Sequence, residues 1–109
     1  RRIITVVQPH RFSRIKQTFD KFSKSFKNSD FVIILPVYAA GEKKIKNINA
    51  NSLAKNIQKN SKTKTLAFND FKKVEDFLNH EVKKGETVIF MGAGNISNLA
   101  NNYVNTLGK

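Results

Sequence analysis

Cysteine is absent from this 109-residue chain, which excludes disulfide staples and thiolate metal sites. Long apolar runs are absent too, and none approaches the roughly 20 residues of a membrane-spanning helix. No secretory-signal pattern is visible. Methionine occurs once, at Met91, and the chain opens with Arg1-Arg2 directly ahead of an apolar run. The expectation is therefore a piece of a longer protein. Several chemistries are missing as well. There is no GxxxxGK[ST] phosphate loop, and no serine stands in a nucleophile elbow. The two histidines, His10 and His80, have no carboxylate at metal-ligand spacing. What remains is the expectation of one soluble, cytoplasmic domain over residues 1–109, without a metal site or a complete catalytic set.

Acidic residues are scarce. Eight Asp plus Glu stand against 20 Lys plus Arg, a formal net charge of +12. Such an excess favours polyanionic partners, so a basic nucleic-acid-binding module is one reading. It predicts steeply salt-dependent affinity for generic DNA or RNA. Against it, the lysines are scattered, as at Lys16, Lys55, Lys72 and Lys109, with no dense block and no interleaved aromatics. Solvated helix faces account for them equally well. A receiver-like regulatory domain would need an acidic cluster at strand ends, and the sequence has none.

A hydrophobic content of 39% allows a modest core. Four short apolar runs, Ile3 to Val7, Phe31 to Leu35, Thr65 to Phe68 and Thr87 to Met91, read as strands buried on both faces. Each is followed by a helical pattern. The first helix is expected from an N-cap at Ser13, with Ile15, Phe19, Phe22 and Phe26 as its apolar stripe. A second begins near Asn51 and buries Leu53, Ala54 and Ile57. A third begins near Asn69 or Asp70 and buries Phe71, Val74, Phe77, Leu78 and Val82. Lys83 and Lys84 fall in its last turn, and Gly85 stops it. A fourth follows Gly94-Asn95 with Ile96, Leu99, Tyr103 and Leu107 inward. Strand–helix repeated four times implies an α/β, Rossmann-like three-layer fold, a mostly parallel sheet with helices on both faces.

In such a sheet, ligands bind beyond the carboxyl ends of the strands. The loop after the first strand, Gln8-Pro9-His10-Arg11-Phe12-Ser13-Arg14, holds two of the four arginines, while sixteen lysines make up the rest of the basic count. Arginine used selectively there suits bidentate recognition of carboxylate or phosphate, and Arg11 and Arg14 can converge if helical geometry starts early. His10 can donate to an anion or a substrate oxygen. The plain alternative is a surface loop with salt-bridging arginines and a backbone-bonded histidine. In the second loop, Tyr38 and Glu42 flank Ala39-Ala40-Gly41. Glu42 can hold an ammonium or a cation, or be a solvated turn residue, and Tyr38 can equally be core. Gly92-Ala93-Gly94-Asn95-Ile96-Ser97 imitates half of a dinucleotide fingerprint, but Ser97 holds the third glycine's place and no acid follows about 20 positions on. Its glycines suit close backbone packing or a tight turn.

Taken together, Val7-Gln8-Pro9-His10-Arg11-Phe12-Ser13-Arg14, Val37-Tyr38-Ala39-Ala40-Gly41-Glu42 and Gly92-Ala93-Gly94-Asn95-Ile96 resemble, in order and spacing, the C-terminal domain of UDP-N-acetylmuramate–L-alanine ligases, members of the Mur ligase family. The first two strings are specific and the third is generic. The family usually has tyrosine at Phe12, and often aspartate at Pro36 and Asn95. A strand and helix that the family carries upstream of Arg1 are absent. The resemblance implies a three-domain enzyme of cell-wall (peptidoglycan) synthesis. Its N-terminal domain would hold the uridine nucleotide, its central domain ATP and Mg2+, and this domain would close over both. The lactyl carboxylate of UDP-N-acetylmuramate becomes an acyl phosphate, which the amine of L-alanine attacks. His10, Arg11 and Arg14, with Tyr38 and Glu42, are then expected to bind substrate, and the domain alone is expected to be inactive.

Overall fold

The computed structural model describes residues 2–92. Strand β1 (Ile3–Gln8) is followed by two short helices, α1 (Phe12–Gln17) and α2 (Phe19–Ser23). Then come β2 (Phe31–Ile34), α3 (Ala50–Ser61), β3 (Lys64–Ala67), α4 (Phe71–Glu81) and β4 (Thr87–Gly92). The strands form one parallel sheet in the order β3-β2-β1-β4. The expected fourth helix, with Ile96, Leu99, Tyr103 and Leu107, lies outside the described residues.

The two inner strands explain the near-continuous apolar runs. Alternate residues of β1 and β2 point to opposite faces, and both faces are covered. On one face Ile4, Val6, Phe31, Ile33 and Leu35 pack against Val74 and Leu78 of α4. On the other, Val7, Val32 and Ile34 pack against Ile15, Phe26 and the inward row Leu53, Ala54 and Ile57 of α3. Helices on both faces of a parallel sheet make the three-layer α/β architecture that the sequence implies. The outer strands are less covered. Leu66 on β3 and Ile89 and Met91 on β4 remain exposed.

The long helices begin where their caps dictate. Asn49 accepts from the Ser52 backbone N–H at 2.8 Å, and the Ser52 hydroxyl accepts from the Asn49 N–H at 3.1 Å, closing a capping box on α3. Asp70 caps α4 through the Lys72 N–H at 2.9 Å. Two expectations need correction. The single first helix is split at Thr18, whose φ of −113° and ψ of 20° leave the helical region. There the threonine hydroxyl donates back to the Arg14 carbonyl at 2.9 Å, a local bond that competes with helix continuation. Phe26 consequently reaches the core from beyond α2. Helix α4 ends at Glu81, with Val82 extended. Lys83 and Lys84 therefore lie in the following turn, where Gly85 (φ +91°) precedes the Glu86 N–H bonded to the Lys83 carbonyl.

Candidate functional site

The order β3-β2-β1-β4 places a switch point between β1 and β4, because the chain builds outward from β1 in one direction and then crosses to its other side. Crevices for ligands open at such points, beyond the carboxyl ends of the strands. Gln8 and Gly92 are register partners there. Gly92 has a φ of +134°, and a Cβ on it would stand 2.6 Å from the Gln8 carbonyl oxygen. This position admits only glycine without a shift of backbone, and it brings the ends of β1 and β4 together.

Beyond Pro9 the chain does not wander off as a free loop. The Tyr38 N–H donates to the Pro9 carbonyl at 2.8 Å, and the Arg11 N–H donates to the Tyr38 carbonyl at 2.8 Å. His10 and Tyr38 thus pair as an isolated parallel bridge, extending β1 and β2 past their ends. Their rings stack at 5.4 Å between centroids and 20° between planes. Two segments almost thirty residues apart are zipped into one patch. The price is backbone strain at Arg11, whose φ of +66° and ψ of 130° are rare for a side-chain-bearing residue. Such a conformation costs about 1–3 kcal/mol and persists where neighbours over-determine it. Here the Arg11 N–H is held by Tyr38 and its carbonyl accepts the Ile15 N–H, which starts α1.

Ser13 is not the N-cap. Arg11 occupies that position and gives no side-chain cap. The cap comes from the second loop. Glu42 accepts from the Ser13 backbone N–H at 3.1 Å and from the Ser13 hydroxyl at 2.5 Å. These two bonds hold the Glu42 carboxyl below its ordinary range, with the backbone of Phe12 and the charge of Arg11 adding to the effect. Glu42 reaches this place through a tight turn in which Ala40 (φ +53°) and Gly41 (φ +87°) both have positive φ and the Glu42 N–H donates to the Ala39 carbonyl. Positive φ at both central residues is the mark of a type I′ turn.

The expected site residues are thus placed as follows. His10, Arg11, Tyr38 and Glu42 are brought together at one carboxyl rim, and Arg14 follows on the first turn of α1. Arg11 and Arg14 are exposed and form no salt bridge among the described residues. Of the third string only Gly92 is described. His80 stands exposed on α4, away from the rim.

Comparison with known proteins bears on what such a patch belongs to. No family model matches the chain. Among curated proteins, it is 42% identical over 106 residues to a UDP-N-acetylmuramate–L-alanine ligase of Fusobacterium nucleatum, covering 97% of the chain and 22% of that protein. It is 40% identical over 107 residues to the ligase of Geotalea uraniireducens, covering 98% of the chain and 23% of that protein. With the ligase of Desulforapulum autotrophicum it shares 35% over 107 residues, again 98% of the chain, and 24% of that protein. The chain belongs to the UDP-N-acetylmuramate–L-alanine ligase family. It spans less than a quarter of the length of these three relatives and matches their C-terminal part.

For a member of this ligase family, two residues of the rim were overlooked by reasoning from sequence. Ser13, read only as a helix cap, is the partner that fixes Glu42. Gln8 is 4% exposed, its side-chain N–H donates to the Pro36 carbonyl at a long 3.5 Å, and its side-chain oxygen is buried without a partner. The available signal was its position, a polar residue closing an otherwise apolar strand before a proline. The Mg2+ that the family implies finds no ligand set among the described residues. No group of three or more His, Asp or Glu able to hold a metal occurs among the described residues, and the sequence has no phosphate loop.

Proposed function

We propose that this chain is the C-terminal substrate-binding domain of a UDP-N-acetylmuramate–L-alanine ligase, an enzyme that joins L-alanine to UDP-N-acetylmuramate by ATP-dependent amide-bond formation. The observation that carries the reading is the zipping of the His10–Arg14 loop to the Tyr38–Glu42 turn at the carboxyl rim, in a chain 42% identical to such a ligase. ATP and Mg2+ are expected on the other domains of the enzyme, and this domain is expected to close against them in the cytoplasm. The relatives' ligase activity makes peptidoglycan synthesis, and with it cell shape and division, the biological setting.

Within that reading the residues divide the work. Arg11 and Arg14, without a salt-bridge partner among the described residues, carry guanidinium groups suited to hold a carboxylate by paired N–H donors. Held by its carboxylate, an amino acid keeps its amine free and directed. His10, fixed by its stack on Tyr38, is a positioned donor or acceptor beside them. Glu42 keeps the turn in place and adds a negative charge toward the amine side.

The test is Arg14→Ala in the full-length enzyme. Losing a charge-assisted bidentate contact costs about 2–3 kcal/mol, or about a hundredfold in kcat/KM for L-alanine. Kinetics equal to the parent's would remove Arg14 from the role. The isolated chain is expected to show no ligase activity.

A further inference from the structure

A concavity lies on the same rim, beyond the carboxyl ends of β2 and β3, and the ligase reading makes no use of it. It has a volume of about 780 Å3. Its walls are the ends of β2 and β3, the segment 44–48, and the first turns of α3 and α4. That size is in the range of small-molecule sites. Buried or half-buried Phe12, Ile45, Ile48 and Phe68 line it, together with exposed Lys44, Lys46 and Lys73.

The charge is unbalanced. None of the lining residues is acidic, and none of the three lysines forms a salt bridge among the described residues. The acids near the lining in sequence are already engaged, Glu42 by Ser13, Asp70 by the Lys72 N–H, and Glu75 and Asp76 by the Lys72 ammonium. Ala50 and Asn51, in the first turn of α3, also line this space, and first-turn N–H groups have no helical acceptor of their own. Three cations and the first turn of a helix, beside apolar side chains in one lining, complement an anionic head on an apolar body.

We propose that this pocket binds a small organic oxyanion of that amphipathic kind, at a site separate from His10, Arg11 and Arg14. The apolar body lies on Phe68, Ile45 and Ile48, and the head group meets Lys46 and Lys73. The inference does not rest on the ligase reading and stands or falls without it.

The test uses the whole 109-residue chain and 8-anilinonaphthalene-1-sulfonate as the probe, titrated by fluorescence and by calorimetry. One saturable site is expected. The double variant Lys46→Glu/Lys73→Glu should weaken it about tenfold or more, since each substitution reverses a charge at the head group. Arg14→Ala should leave it unchanged. N-Phenyl-1-naphthylamine, which keeps the rings without the sulfonate, should bind at least about tenfold more weakly, and inorganic phosphate alone should compete poorly. Far-UV circular dichroism and a thermal melt establish that each variant is folded. The proposal is overturned if the double variant binds like the parent, if the uncharged probe binds as well as the anion, or if Arg14→Ala abolishes binding. It is equally overturned if no saturable site is found.

Discussion

Arg11 concentrates the backbone strain of this rim. Its φ of +66° suits glycine, yet a guanidinium stands there. Arg11→Gly should relieve strain of about 1–3 kcal/mol while adding about 0.5–1 kcal/mol of chain entropy to lose on folding. The variant is therefore expected to be at least as stable as the parent, by about 0–2.5 kcal/mol in urea denaturation. On the proposed ligase function, its kcat/KM for L-alanine in the full-length enzyme should nevertheless fall. A destabilised Arg11→Gly chain would mean that the conformation is not strained. Glu42 gives a prediction of the opposite kind. Its carboxyl is held below the ordinary 4.5 by the Ser13 hydroxyl first and the Ser13 N–H second. A carboxyl whose folded value is depressed stabilises the fold above the unfolded value, and that contribution disappears as pH falls through the folded one. Glu42→Gln keeps an acceptor but loses the charge. The parent should therefore melt above Glu42→Gln at neutral pH, and the gap should close as pH drops below 4.5. A gap that stays constant across that window would dissociate the Glu42 charge from the α1 N-terminus.

At the scale of elements, the periodic patterns were legible and the long-range ties were not. Four apolar runs located the four strands to within one or two residues; full cover on both faces explains the runs of β1 and β2, whereas β3 and β4, expected to be equally buried, keep exposed positions at the sheet edges. The inward row Leu53, Ala54 and Ile57 was equally readable. The stripe Ile15, Phe19, Phe22 and Phe26 is helical in spacing, yet the chain breaks at Thr18. A helical repeat in apolar residues records which side faces the core, not whether the backbone is continuous. The site residues could be named from their types, but their assembly depends on main-chain bonds among Pro9, Arg11 and Tyr38, and backbone groups carry no sequence signal. The Glu42–Ser13 contact is hidden for a related reason, since its partners are 29 positions apart. Where a cap is local, the sequence is a good guide, and α3 is the case to measure. Asn49→Ala removes one half of the capping box and should cost about 1 kcal/mol. The urea midpoint should fall with the slope unchanged, because the surface exposed on unfolding stays the same. A loss below about 0.3 kcal/mol would show that water replaces the cap without penalty.

For the molecule as a whole the dominant fact is charge of one sign. With a formal +12 and only eight acidic residues, most lysines face other cations at long range and not a carboxylate. The ion pairs among the described residues are few, with Arg2 joined to Glu86 and Lys72 to Glu75 and Asp76. Those on α4 are exposed at Lys72 and add little. Arg2–Glu86 is the firmer tie. Its bonds raise the arginine and lower the glutamate from their ordinary ranges, and it joins the start of β1 to the start of β4. Salt weakens both attraction and repulsion, so the sign of its effect shows which prevails. The screening length shrinks from roughly 30 Å at 0.01 M to about 8 Å at 0.15 M ionic strength, a change that reaches distant lysine pairs before it reaches bonded ones. Repulsion spread over the surface should therefore be relieved while Arg2–Glu86 survives. The melting temperature of the chain is expected to rise between these two sodium chloride concentrations, and an Arg2→Ala variant should rise by the same amount from a lower start. A melting temperature that falls instead would mean that specific pairs, not net repulsion, set the electrostatic stability of this chain.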